Sequence, residues 1–137
     1  MRDLATALGI EAASIYSHIR SKEEILQRVC FRMAEEFFGA IEKIKDENAS
    51  ATDQLKRAIS AHVQVLTRNT EASAVFLQEW RHLSEPYHAE FLALRDRYES
   101  YFRKIIRQGI ANGEFQVPDE KFAVLTILSG LNWIHTW

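Results

Sequence analysis

At 137 residues, with 47% hydrophobic and 26% charged side chains, the chain has globular composition and room for one domain, which excludes a mainly disordered polymer. Five glycines and two prolines are too few turn formers for an all-β protein, and the single cysteine, Cys30, excludes an intrachain disulfide or a cysteine-cluster metal site. The net charge of −2 gives no global basic field of the kind that attracts nucleic acid.

Along the chain the apolar spacing is helical almost throughout. Leu4, Ala5 and Leu8 share one face, and Gly9 follows as a stop. Ile10, Ile15 and Ile19 predict a second short helix from Glu11 to Ser17 or His18. Ser21-Lys22-Glu23-Glu24 has the form of a capping box, with the Ser21 hydroxyl set to accept the backbone N–H of Glu24. It is expected to start a long helix whose inner face runs Ile25, Val29, Met33, Phe37, Ile41, Ile44. Residues 45–52 are polar and read as a loop. A helix from about Asp53 to Arg68 buries Leu55, Ile59, His62, Val63 and Leu66, and His62 reads as a hydrogen-bonded core histidine before a ligand contact. Another begins at Thr70 or Glu71, carries Phe76, Leu77, Trp80 and Leu83, and is closed by Pro86. The longest spans about Pro86 to Ala111, with Phe91, Leu94, Tyr98, Phe102, Ile105 and Ile106 inward, and Asn112-Gly113 stops it. Asp119 then caps a final helix from Glu120 to the end of the chain.

No charged-then-apolar leader opens the sequence. The most apolar stretch, Phe122 to Ile134, is interrupted by Thr126, Ser129, Gly130 and Asn132. A bilayer span needs roughly 20 apolar residues, so a buried helix and a cytoplasmic protein are expected, with no membrane partner. The chain closes at Trp137 inside a helical pattern, without cap or breaker, as a piece of a longer design would.

The most specific signal lies in the first 28 residues. Ala5, three residues, then Gly9, followed by Ile10, Ile15 and Ile19, is helix-turn-helix spacing: the small Ala5 permits a close crossing and Gly9 a positive-φ turn. The run Arg2-Asp3-Leu4-Ala5…Gly9-Ile10…Ser14-Ile15-Tyr16-Ser17-His18-Ile19-Arg20-Ser21-Lys22-Glu23-Glu24-Ile25-Leu26 closely resembles the DNA-binding signature of the tetracycline-repressor (TetR) family of bacterial regulators. The resemblance implies phosphate contacts by Tyr16, His18 and Lys22, and base contacts from Glu11, Ala12, Ala13, Ser14 and Ser17 at the start of the recognition helix. Two positions depart from the family pattern: Glu11 replaces a Ser or Thr cap, and Ile19 replaces Phe. Residues 1–28 balance Arg2, Arg20, Lys22 and Arg28 against Asp3, Glu11, Glu23 and Glu24, so phosphate affinity would rest on local placement and dimer avidity. The family has a further helix before this motif, and the chain is expected to be truncated at both ends.

The resemblance divides the chain into a helix-turn-helix region, 1–28, and a helical ligand-binding and dimerisation domain, 29–137. It implies an all-α, ligand-responsive regulator, a repressor that binds a palindromic double-stranded DNA operator as a homodimer through its C-terminal helices. Phe76-Leu77-Gln78-Glu79-Trp80-Arg81, Leu94-Arg95-Asp96-Arg97-Tyr98 and Asn132-Trp133 resemble the branch whose effectors include acyl-CoA thioesters. An acyl chain needs an apolar tunnel and a CoA phosphate needs cations at its mouth. Candidate ligand contacts are therefore His62, Phe76, Trp80, Arg81, Arg95, Tyr98, Phe102 and Trp133, with Arg97, Arg103, Lys104 and Arg107 as further phosphate partners. The plainer reading makes the aromatic stripe core and the basic run a solvated face.

An enzymatic reading has one foothold, the two E-x-x-H pairs Glu79/His82 and Glu85/His88, the ligand spacing of di-iron bundles. They straddle the break at Pro86 and cannot face each other across a bundle, so no enzyme, metal or cofactor is expected. The alternative to a regulator is a helical ligand-binding or interaction protein that does not bind DNA because its headpiece is incomplete.

Overall fold

The apolar stripe from Val29 to Ile44 becomes the spine of the molecule. The computed structural model describes residues 11–136 together with Thr6 and Gly9; Leu4, Ala5, Leu8 and Ile10 lie outside them. Five α-helices follow in order: α1 (Ala12–Ile44), α2 (Ala51–Arg68), α3 (Thr70–Glu79), α4 (Tyr87–Ala111) and α5 (Glu120–Trp133). Short 3₁₀ turns, Trp80–His82 and Ile134–Thr136, extend α3 and α5. The described chain is all-α, as the sequence predicts.

The largest departure is at the start. Gly9 has φ +66°, the positive-φ turn that its position calls for. Beyond it, however, the predicted short helix and the predicted long one are a single continuous α1, and residue 28 falls inside it. The Ser21 capping box is therefore not used. The physical reason is local: 17–24 contains neither Gly nor Pro, and every residue from Tyr16 to Ile25 is exposed. With no buried side chain among these described residues to hold a break, propagation adds one backbone hydrogen bond per residue and wins.

The other boundaries follow their caps. Ser50 Oγ accepts the Asp53 N–H at 3.1 Å, which starts α2 two residues before the predicted Asp53. Asn69 Oδ1 accepts from Ala72 N at 3.0 Å, and Asp119 Oδ1 from Phe122 N at 2.8 Å. Glu114, far along the chain, adds a second cap to α2: its carboxylate accepts from Ala51 N, Thr52 N and Thr52 Oγ1 at 2.9–3.1 Å. These contacts hold its pKa below the usual carboxylate value.

Three buried clusters lie along α1. Cys30 packs with Leu83 and Phe91. Met33 and Phe37 pack with Val65 and Leu66 of α2. Ile41 meets Ala51 and Ala58 of α2, Phe102, Ile105 and Ile106 of α4, and Val124 of α5. Ile25, predicted to begin the inner face, is instead 59% exposed.

A Schellman motif ends α4. Gly113 takes φ +74°, its N–H bonds to the Ile110 carbonyl, and Glu114 N–H bonds to the Gly109 carbonyl at 2.8 Å. Phe115 then folds back over the buried Gly109, where an added Cβ would overlap the ring as far in as Cγ. Gly109→Ala is expected to destabilise the fold by about 1–3 kcal/mol through forced displacement of that ring. The urea midpoint would fall accordingly; an unchanged midpoint would mean that Phe115 moves freely.

Candidate functional site

Between α1, α3, α4 and α5 the core does not close. A cavity of about 540 Å³ remains, walled by Phe37 and Phe38 of α1, Phe76 and Leu77 of α3, Phe91 and Tyr98 of α4, and Leu125, Leu128 and Trp133 of α5. Its floor is an aromatic cluster, with Phe37–Phe76 and Phe76–Phe91 centroids 5.4 Å apart and Phe37–Tyr98 5.6 Å apart. Bulky rings at fixed rotamers cannot fill a space between splayed helices as flexible side chains would, so the hollow persists.

One polar thread crosses this apolar wall. The His62 ring bonds through Nδ1 to the Tyr98 hydroxyl at 3.0 Å and through Nε2 to Asn132 Oδ1 at 3.1 Å. The tautomer that satisfies both has Nε2–H donating to Asn132 and Nδ1 accepting from Tyr98 O–H. Burial pushes the His62 pKa down to about 4, opposed in part by the Asn132 contact, so the ring is neutral. Burial likewise raises Tyr98, which keeps its proton. His62 is 4% exposed, a bonded core histidine as the sequence reading had it, and its ring lies on the cavity wall.

That neutrality has a pH consequence. The unfolded imidazole takes up a proton near 6.5 and the folded one only near 4, so between those values the unfolded state binds more protons. Stability is unaffected by this group above about 6.5 and falls by roughly 1.4 kcal/mol per pH unit at most as pH drops through the window. Urea midpoints across pH 7.5 to 4.5 should show the slope, and His62→Gln should flatten it. An equal slope in the variant would assign the acid lability elsewhere.

Cations gather at the cavity mouth around Trp80. The Arg95 guanidinium lies 4.3 Å and that of Arg81 4.8 Å from the indole centroid. Neither has a carboxylate within salt-bridge distance among the described residues. Burial, then the nearby Arg81 charge, lowers the Arg95 pKa. Asp96 and Glu99 lie near enough to oppose that lowering in part, yet neither forms a salt bridge with Arg95, and two guanidiniums on one ring suit an anion at the mouth of the hollow.

Seven of the eight predicted ligand contacts therefore line one cavity: His62, Phe76, Trp80, Arg81, Arg95, Tyr98 and Trp133. Phe102 does not. It is fully buried behind the wall, 5.5 Å from the Tyr98 ring and 6.4 Å from His62, because its face of α4 turns toward α2. The remaining arginines of α4 are elsewhere too: Arg103 pairs with Glu99, Arg107 with Glu120, and Arg97 stacks on Phe38. Sequence reading missed Asn132 as a partner of His62, although an Asn inside the most apolar helix was the available signal. The E-x-x-H pairs are two local contacts, Glu79–His82 at 3.6 Å and Glu85–His88 at 3.5 Å. Cys30 is fully buried, which pushes its thiol up to about 11.

The predicted DNA contacts fall on the exposed first third of α1, with Glu11 as its N-terminal flank and Ala12 as its first residue. Glu11, Ala13, Ser14, Tyr16, Ser17, His18 and Lys22 are all exposed. Helical periodicity places Ser14, His18 and Lys22 along one face, and turns Tyr16 to the far side with Arg20. The continuous helix brings the first three together and separates Tyr16 from them.

Residues 48–137 match the family described as tetracyclin repressor-like, C-terminal domain. The HTH-type transcriptional repressor KstR2 of Mycolicibacterium smegmatis is 23% identical over 135 residues, covering 98% of this chain; the chain spans 66% of the length of that relative. Among solved structures, the TetR family regulator PfmR of Thermus thermophilus superposes with a TM-score of 0.78 at 36% identity, covering 99% of this chain and 74% of that one. AibR, solved in complex with isovaleryl coenzyme A and operator DNA, shares the fold at 19% identity, with a TM-score of 0.73 over 99% of this chain and 74% of that one. These relatives are transcriptional regulators rather than enzymes, and no helix among the described residues is long and apolar enough to cross a membrane. By the match over 48–137 and the likeness to PfmR, the chain belongs to the tetracycline-repressor (TetR) family of transcriptional regulators.

Proposed function

We propose that this chain is the core of a cytoplasmic, ligand-responsive transcriptional repressor released from its operator by a hydrophobic acyl thioester of coenzyme A. The observation that carries it is the pairing of an apolar cavity of about 540 Å³ with two unpaired guanidiniums at its mouth. An acyl group fits the hollow and the phosphates of coenzyme A fit Arg81 and Arg95. AibR, a protein of the same fold, was solved with isovaleryl coenzyme A and operator DNA, which supports that ligand class.

Residues 1–28 form the DNA-binding region in this reading, and 29–137 the effector and dimer domain. Ser14, His18 and Lys22 supply hydroxyl, imidazole and ammonium donors along one edge of α1, with Ser17 beside them and Glu11, Ala12 and Ala13 nearest the bases, while Tyr16 would reach a phosphate only if α1 breaks near Ser21. Two copies pairing through α4 and α5 set two such helices about 34 Å apart on a palindromic site. Phe122, Leu125 and Trp133 support that pairing: they stand 74%, 41% and 63% exposed along one stripe of α5. Phe37 and Phe38 sit on the same unbroken helix as His18 and Lys22, so ligand contacts that displace α1 displace the DNA-facing end. Ligand and DNA then oppose one another by one coupling free energy.

Fluorescence anisotropy with DNA from upstream of its own gene, using the protein encoded with its upstream codons, tests the reading. Binding that weakens steeply with salt and is reversed by an acyl-CoA is the expected result. Absence of salt-dependent binding would sink the repressor assignment.

A further inference from the structure

A second hollow, of about 580 Å³, lies behind the first and shares two wall residues with it, Phe38 and Tyr98. The two rings meet edge to face at 5.6 Å, with planes 86° apart, and form the partition. They are held very differently. Tyr98 is bonded to His62 at 3.0 Å and packed between Phe37 and Phe102. Phe38 is half-buried, has Tyr98 as its one ring neighbour among the described residues, and is covered on its other side by the Arg97 guanidinium 4.3 Å away. Arg97 in turn has no carboxylate within salt-bridge distance among the described residues, so nothing locks that cover in place. Immediately beyond Phe38 the rear hollow begins with an apolar strip of Ile41, Tyr101 and Ile105, and the rest of its lining, Glu42, Lys45, Asp46, Glu47, Gln54 and Lys104 among it, is polar or charged.

We infer that Phe38 is the length-determining residue of the effector site, a ring that stops the acyl chain at the end of the front hollow and whose removal joins the two. This rests on the acyl-CoA reading above. Tyr98 is the fixed jamb, tied to the polar thread; Phe38 is the part that yields. A chain that fills the front hollow gains from each methylene it buries until it meets Phe38. Further methylenes must displace the ring from Tyr98 and Arg97 before they reach Ile41 and Ile105.

Saturated acyl-CoAs of increasing length, from four to sixteen carbons, titrated against the chain with tryptophan fluorescence as readout, test the inference, with free coenzyme A as reference. Wild-type affinity should climb with length, then level or fall at a definite break. Phe38→Ala should move that break outward by two or more carbons, with roughly ten-fold tighter binding per pair of methylenes just past the wild-type limit. Phe38→Leu, which keeps aliphatic bulk on α1, and Arg97→Ala, which uncovers the ring, should move it in the same direction by less. The two readings fail differently. If wild type binds no acyl-CoA more tightly than free coenzyme A, the ligand class is wrong and the length gate falls with it. If wild type binds with a clear break and that break stays put in folded Phe38→Leu and Arg97→Ala, Phe38 is not the gate although the ligand class stands. Helical circular dichroism checks the fold of each variant.

Discussion

The double substitution Arg81→Ala/Arg95→Ala is expected to weaken binding of an acyl-CoA by on the order of 100-fold, since each guanidinium can offer charge-assisted hydrogen bonds of about 1.5–3 kcal/mol to phosphate. Stability should barely change. Neither side chain has a carboxylate partner to orphan among the described residues, and both lie over the outer indole of Trp80. Removing them even relieves the like-charge proximity that helps lower the Arg95 pKa. Replacing both by lysine keeps the charge and loses the planar fork, so an intermediate affinity is expected. The wild-type advantage should also shrink as salt rises, because the mouth is open to solvent. Calorimetric titration of the three proteins decides it. A double-alanine variant within three-fold of wild type would place the phosphates elsewhere and leave these arginines as surface charge.

Phe102→Ala should act in the opposite way: a loss of about 3–5 kcal/mol of stability with ligand affinity of the folded protein largely kept. Phe102 is fully buried among Ile41, Ala51, Ala58 and Val124, residues of three other helices, and touches the cavity wall only from behind. Against a typical total of about 5–15 kcal/mol for a small domain, such a loss could leave much of the protein unfolded at 37 °C. A milder Phe102→Leu keeps most of the volume and allows binding to be measured on folded material. Retained stability with lost binding would return Phe102 to the ligand contacts, as its spacing on α4 suggested.

That contrast shows why half of the site was legible and half was not. Phe76, Trp80, Tyr98 and Phe102 recur at helical intervals, and periodicity says which face turns inward. It does not say whether another helix fills the space opposite. For Phe102, α1, α2 and α5 do; for Phe76, Trp80 and Tyr98 they stand apart and leave the hollow. The basic run of α4 divides in the same manner. Five cations between Arg95 and Arg107 look alike in sequence, yet Glu99 and Glu120 neutralise two of them and Phe38 covers a third. Asn132 was visible only as a polar interruption in α5 until His62 stood 3.1 Å away.

The headpiece gives the converse case. Its residues carry the family resemblance, while the break predicted at Ser21 is absent because a capping box stops a helix only where something holds the chain in its new direction.

Caps and periodicity are local properties of the chain. They set the helical class, the ends of α4 and α5 at Asn112-Gly113 and Asp119, the inward faces and the family signature before any long-range contact forms. Only the packing of the helices settled which inward residues surround a void and which cations stay free at its mouth. Those depend on where other helices stand, and on the contacts they supply or withhold.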